Sequence, residues 1–227
     1  MKIIWFFIIS YMGKSYSMNS LQGLFITFEG GEGTGKSTQS KLLYDYLKSK
    51  TTDVILTREP GGCIESENIR NLLVKGNINK WDPITESLLH NAARREHIKN
   101  IIKPALLKNK IVICDRYIDS TMAYQGIGQG VNSNFLNILS KEITENIVAN
   151  ITFIFDIDPD ISLKRAKKRD KNTNNRYENF DLSFHKNIRN YFRSLINTNK
   201  RYILIDASNS IEEIHLKILK SINNLIK

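Results

Sequence analysis

The sequence predicts an α/β protein, a three-layer α/β/α sandwich built on a five-stranded parallel sheet. Two observations carry that expectation. Short apolar runs rich in Ile, Val or Phe alternate with helical patterns along the chain, as strands covered on both faces by crossover helices require. A glycine-rich segment, Gly30-Gly31-Glu32-Gly33-Thr34-Gly35-Lys36-Ser37, follows the first of these runs and precedes a helix-compatible stretch, Thr38-Gln39-Ser40-Lys41-Leu42-Leu43. In such a sheet, ligands lie beyond the C-terminal ends of the strands.

Taken in order, the strands are expected at residues 24–29, 53–57, 111–115, 151–156 and 202–206. Asp158-Pro159 is a helix start, with proline at the first helical position, where its missing N–H costs nothing. Phe184, Ile188, Tyr191, Phe192 and Leu195 follow one helical stripe, and Ile211, Ile214, Ile218, Ile222, Leu225 and Ile226 another. Both read as core faces. The stretch Asp170-Lys171-Asn172-Thr173-Asn174-Asn175 is polar and reads as mobile.

The glycine-rich segment fits G-x-x-x-x-G-K-[ST], the P-loop, and it stands between a strand and a helix as that motif requires. Its glycines let the loop turn tightly and aim backbone N–H groups inward, where they and the positive helix end hold a triphosphate. Gly30, Gly31, Glu32, Gly33, Thr34, Gly35, Lys36, Ser37 and Thr38 are thus the expected ATP-binding set. Lys36 would reach the outer phosphates and the Ser37 hydroxyl would ligate Mg²⁺.

Composition narrows the classes. With 227 residues and 41% hydrophobic content the chain can bury a core as one domain. A net charge of +10 suits polyanionic partners. Outside Lys164-Arg165-Ala166-Lys167-Lys168-Arg169 the lysines are scattered, with no interleaved aromatics of the kind single-strand binders use, so nucleic acid is not an expected partner. Cys63 and Cys114, the two cysteines, form no disulfide framework and no metal-ligand spacing, which fits a reducing cytoplasm. The run Ile3-Ile4-Trp5-Phe6-Phe7-Ile8-Ile9 is too short to span a bilayer and no A-x-A pattern follows it, so no membrane association is expected. Residues 1–20 read as an extension outside the domain, with Met18 as the true first residue, and residues 21–227 as the domain itself.

Further motifs sit where strands should end: Thr57-Arg58-Glu59-Pro60-Gly61-Gly62, Asp115-Arg116-Tyr117, and Ser120-Thr121-Met122-Ala123-Tyr124-Gln125-Gly126. With Glu32 inside the P-loop, this set resembles the bacterial thymidylate kinases, over nearly all of the chain from Leu24 onward. The resemblance implies transfer of the γ-phosphoryl group of ATP to dTMP, giving dTDP and ADP, in a homodimer. It implies that Arg58 and Arg70 serve the acceptor, that Glu59 helps position the acceptor or its metal, that Arg116 clamps the phosphates between donor and acceptor, and that Glu32 accepts a hydrogen bond from the sugar 3′-hydroxyl. Asp115 ends an apolar run and either holds Mg²⁺, directly or through water, or orients Arg116 or Ser37. Arg94, Thr121 and Gln125 match residues that bond the base, and Tyr124 one that packs beside the sugar. A lid at about 164–177 would bring a catalytic arginine, because the P-loop carries none; Arg165 and Arg169, at i and i+4, are favoured over Arg176. The chain departs from the family at His90, where a phenylalanine usually stacks on thymine.

Three other readings stay open at this level. A deoxynucleoside kinase would use Glu59 as a base toward a sugar hydroxyl. A nucleotide-binding switch would need no acceptor arginines. A nucleic-acid module would rest on charge alone.

Overall fold

The computed structural model describes residues 23–51, 53–169 and 176–223. The expectations for the N-terminal extension, for residues 170–175 and for Leu225 and Ile226 lie outside the described residues.

The described chain runs β1 (Phe25–Gly30), α1 (Lys36–Lys48), β2 (Val54–Arg58), α2 (Ile64–Val74), α3 (Pro83–His97), α4 (Lys103–Leu107), β3 (Ile111–Asp115), α5 (Ile118–Thr121), α6 (Ser133–Thr144), β4 (Ile151–Asp156), α7 (Pro159–Arg169), α8 (Leu182–Ser194), β5 (Tyr202–Asp206) and α9 (Ile211–Asn223). A π-helical turn at Ile98–Ile102 joins α3 to α4, and another at Met122–Gly128 extends α5. The five strands are all parallel, as the sequence predicts, and they lie in the order β2-β3-β1-β4-β5.

Strands β3, β4 and β5 have the expected bounds, whereas β1 and β2 each sit one residue later. The ladder decides this, not hydrophobicity: Gly30 still pairs with Phe155, and Arg58 with Asp115. Two polar motifs are thereby drawn onto strand ends. The register Phe28↔Asp115 and Arg58↔Asp115 sets the ends of β1, β2 and β3 side by side. Connections from β1 run to one side of the sheet first and later to the other, so the P-loop lies at the switch point, where such sheets bind ligands.

Each face of the sheet is covered. Leu43 and Leu47 of α1 and Ile214, Ile218 and Ile222 of α9 pack on Phe28, Phe153 and Ile205. Ile98, Ile102 and Leu106 pack with Phe25, Val112 and Tyr117, and Phe184, Ile188 and Phe192 of α8 pack with Ala123 and Ile154. Each such side chain contributes about 1.5–3 kcal/mol when withdrawn from water. Among the described residues both predicted stripes are core faces except at Ile211, which is exposed and whose carbonyl accepts from Gln39 Nε2 at 2.7 Å. The Asp158-Pro159 start is observed, with Asp158 Oδ1 accepting from the Asp160 N–H at 2.9 Å.

Candidate active site

The P-loop leaves β1 at Gly30 and enters α1 at Lys36. Gly33 has φ +69, and a Cβ there would collide with the Ser162 carbonyl, so only glycine lets α7 approach the loop this closely. Lys36 is buried and donates to the Gly31 carbonyl at 2.5 Å and to Thr34 Oγ1 at 3.2 Å. Burial, followed by the like charge of Arg116, lowers its pKa to about 8, against the pull of Glu32, Asp115 and Glu29. Ser37 Oγ donates to Asp115 Oδ2 at 2.5 Å, while Asp115 Oδ1 is buried without a hydrogen-bond partner. An unpartnered carboxylate oxygen beside a hydroxyl fits a hard divalent cation. Among the described residues no group of three or more His, Cys, Asp or Glu is placed to hold a metal ion. Such an ion would therefore be completed by phosphate oxygens and water, the usual way Mg²⁺ is bound.

Arg116 stands at the junction of the two halves of the cleft. Its φ of +74 is left-handed, uncommon for a residue with a side chain, and the surroundings hold it there. Its N–H donates to Phe28 O at 2.9 Å, and its guanidinium donates to Gly30 O at 2.8 Å, Ser120 Oγ at 3.1 Å and Glu32 Oε1 at 2.6 Å. Beneath it, the buried Glu29 carboxyl accepts from the N–H groups of Tyr117 and Ser120 at 2.8 and 3.2 Å and bonds Ser120 Oγ at 2.5 Å. Burial, then the like charge of Asp119, pushes Glu29 up to about 8. Burial alone would also raise Glu32, but Arg116, Lys36 and the Tyr124 hydroxyl outweigh it and hold that carboxyl below its ordinary value. Tyr124 Oη donates to Glu32 Oε1 at 2.9 Å.

Toward β2, Arg58 makes a two-pronged contact with Glu67, both oxygens at 2.9 Å, and stays half exposed. Arg70 Nη1 donates to Pro60 O at 2.7 Å. Arg94 is buried; it donates through Nε to Glu59 Oε2 at 2.7 Å and through Nη2 to Tyr117 O at 3.1 Å. Burial would raise Glu59, yet Arg94 and His97 hold it low, so it is committed to these two partners as an ionised group. A free general base has no such commitments. His90 lines the cleft with its Nε2 2.8 Å from Tyr177 Oη, and burial followed by Arg94, Arg116 and Arg70 pushes its pKa down to about 3. The imidazole is neutral and is not turned away from the pocket.

One cleft is lined by Glu32, Gly33, Thr34, Gly35, Lys36 and Ser37 on the P-loop side. Opposite lie Arg58, Glu59, Arg70, His90, Arg94, Asp115, Arg116, Thr121, Tyr124 and Gln125. Residues 28–218 match the family model described as thymidylate kinase. The chain belongs to the thymidylate kinase family. It is 43% identical to the thymidylate kinase of Caulobacter vibrioides, over 85% of this chain and 92% of that one. It is 44% identical to that of Ehrlichia ruminantium strain Gardel, over 89% and 98%. A crystal structure of thymidylate kinase from Ehrlichia chaffeensis superposes with a TM-score of 0.71 at 38% identity, covering 88% of this chain and 98% of that one.

All of the acceptor-side residues expected from the thymidylate kinase resemblance thus face one cleft. Other expected residues lie outside its lining. Gly30 presents its carbonyl to Arg116, Gly31 presents its carbonyl to Lys36, and Thr38 is exposed on α1. Arg165 is exposed on α7 and donates to Ala207 O at 2.9 Å; Arg169 ends that helix. Arg176 is fully buried and ion-paired with Glu86. Sequence reasoning missed Tyr177, which lines the cleft, and the buried acids Glu29 and Glu86. Glu29 stands in an apolar strand and Glu86 in the first turn of α3, and a carboxylate buried at either place signals a fixed partner.

Proposed function

We propose that this protein transfers the γ-phosphoryl group of ATP to dTMP, giving dTDP and ADP. The observation that carries the reading is the convergence on one cleft of the P-loop with Arg58, Arg70, Arg94 and Arg116, with Arg116 bonded to both the P-loop carbonyl of Gly30 and Glu32. The acceptor phosphate is largely dianionic at neutral pH, its second pKa being about 6, so no side chain has to remove a proton. What the reaction needs is cations that hold two repelling anions in line. Lys36 and the loop N–H groups take the donor phosphates, Arg58 and Arg70 the acceptor phosphate, and Arg116 the group between them. Glu32 accepts from the sugar 3′-hydroxyl, with Tyr124 beside the sugar, and Glu59 fixes Arg94 for the base. Thr121 and Gln125 bond the base edge.

Ser37 and Asp115 would hold Mg²⁺, which supplies charge neutralisation on the phosphates when bound. Arg165 and Arg169 of α7 are the lid cations of this reading, and Arg176, paired with Glu86, is not assigned that role. Closure of such a lid excludes water and limits idle ATP hydrolysis.

The protein acts as a homodimer in the cytoplasm, where ATP is available. Exposed Leu72 on α2, Ile84 and Leu88 on α3, and Phe135 and Ile138 on α6 offer an apolar surface on packed neighbouring helices. Among the described residues no helix is long and apolar enough to cross a membrane.

The test is a coupled ADP-release assay with ATP and Mg²⁺ across a panel of nucleoside monophosphates, with thymidine alongside. ADP release that depends on dTMP is expected. Turnover of thymidine instead, or of no monophosphate at all, would sink the reading.

A further inference from the structure

Glu86 sits in the first turn of α3, fully buried, and every partner it has is a donor. Its Oε1 accepts from Gln125 Nε2 at 2.7 Å, Gln129 Nε2 at 3.1 Å and Tyr177 Oη at 2.8 Å. Its Oε2 accepts from the guanidinium of Arg176, which is fully buried as well. Arg176 sets its positive charge against this carboxylate, and all four contacts use a Glu86 oxygen as the acceptor.

Two consequences follow from donor and acceptor counting. A glutamine amide has one end of each polarity. Gln125 turns its donor end to Glu86, so the acceptor end, Oε1, is the one it offers to the cleft it lines. Tyr177 has a single hydroxyl proton, and Glu86 takes it. Tyr177 Oη can then only accept from His90 Nε2, 2.8 Å away. The neutral His90 therefore carries its proton on Nε2, with Nδ1 bare, and its one N–H is spent on Tyr177 rather than on a ligand.

We infer that Glu86 is a specificity-positioning residue: by fixing the polarity of the Gln125 amide it makes the pocket offer an acceptor to the pyrimidine edge, and by taking the Tyr177 proton it keeps the His90 N–H turned to Tyr177, so the site admits bases with a donor at N3, thymine and uracil, over cytosine, which has a lone pair there. The inference rests on the reading of this cleft as a dTMP site. An acceptor set against a lone pair leaves both unpaired in a dry pocket, and a site built on such hydrogen bonds discriminates strongly.

The experiment measures kcat and KM for dTMP and dCMP with ATP, in the unaltered protein and in Glu86→Gln. The variant keeps the shape of the side chain but can donate as well as accept, which frees Gln125 to turn over. The dTMP-to-dCMP ratio of kcat/KM is expected to fall by about tenfold or more, with the loss for dTMP falling on KM rather than kcat. Equal losses for both nucleotides, leaving the ratio unchanged, would mean that Glu86 only supports the fold and would overturn the inference. Should the unpaired Arg176 prevent folding, Glu86→Gln/Arg176→Gln removes both charges together and is read the same way. Nitrogen NMR of His90 in the unaltered protein gives an independent readout: protonated Nε2 with bare Nδ1 supports the scheme, and the reverse tautomer overturns it. Failure of the unaltered protein to use dTMP is a different result, which overturns the reading of the cleft itself.

Discussion

Asp115 and Ser37 meet across the mouth of the sheet, Ser37 Oγ donating to Asp115 Oδ2 at 2.5 Å, and the other oxygen of Asp115 stays buried without a partner. The pair ties the first turn of α1 to the end of β3, and it holds one acceptor in reserve. Asp115→Asn removes the charge and keeps the shape. The concentration of Mg²⁺ giving half-maximal ADP release at saturating ATP should rise by about tenfold to a hundredfold, while the melting temperature changes little. An unchanged Mg²⁺ requirement would leave Asp115 as a mere orienter of Ser37.

Arg116 donates four hydrogen bonds, one of them from its backbone, in a conformation arginine seldom adopts. Such anchoring is worth its strain when the fork must point at one place. Arg116→Lys keeps a positive charge but loses the planar fork. We expect kcat with dTMP to fall by about 10²- to 10³-fold with near-native circular dichroism. A loss below about tenfold would assign the clamp to another cation.

The buried Glu29 makes stability depend on pH in an unusual direction. Burial, then Asp119, raises its folded-state pKa from 4.5 to about 8. Between those values the unfolded chain has released a proton that the native protein retains, so native stability falls as pH rises across this window. Glu29→Gln mimics the neutral acid: its oxygen still accepts from the N–H groups of Tyr117 and Ser120, and its amide donates to Ser120 Oγ. Urea midpoints of variant and parent should agree near pH 4.5 and separate toward pH 8, with the variant the more stable. Parallel curves over that range would show that Glu29 ionises normally.

These features differ in how far the sequence shows them. The strand pattern and the P-loop are local: they depend on residues within a few positions of one another, and β3, β4 and β5 are found at the expected positions. Arg58, Asp115 and Arg116 are legible because they lie at strand ends that the parallel register brings together, whereas Arg70, His90 and Arg94 stand on α2 and α3 and are legible only through the thymidylate kinase resemblance. Arg176 is different. In the sequence it is one more cation near a basic helix, and only the fold brings Glu86, distant in the chain, to neutralise it. Glu29 is hidden for a similar reason, because nothing near it in sequence discloses that Ser120 and Tyr117 will meet it.

His90 stands where the thymidylate kinase resemblance places a stacking phenylalanine, and the structure keeps its ring in the cleft. Three effects bear on His90→Phe. The phenyl ring offers more apolar area to a base, and aromatic pairs add about 0.5–1.5 kcal/mol beyond burial. The change forfeits the hydrogen bond from Nε2 to Tyr177 Oη, but the Tyr177 proton is already taken by Glu86, so no buried donor is stranded. No charge is lost either, since burial and the nearby arginines hold the imidazole neutral, its pKa down to about 3. The balance favours phenylalanine, and calorimetry should show dTMP binding tightened by about threefold to tenfold. The same neutrality makes dTMP affinity insensitive to histidine protonation between pH 5 and 8, so the ratio of the two dissociation constants should be flat across that range. An equal or weaker affinity in the variant would mean that His90 does not stack on the base.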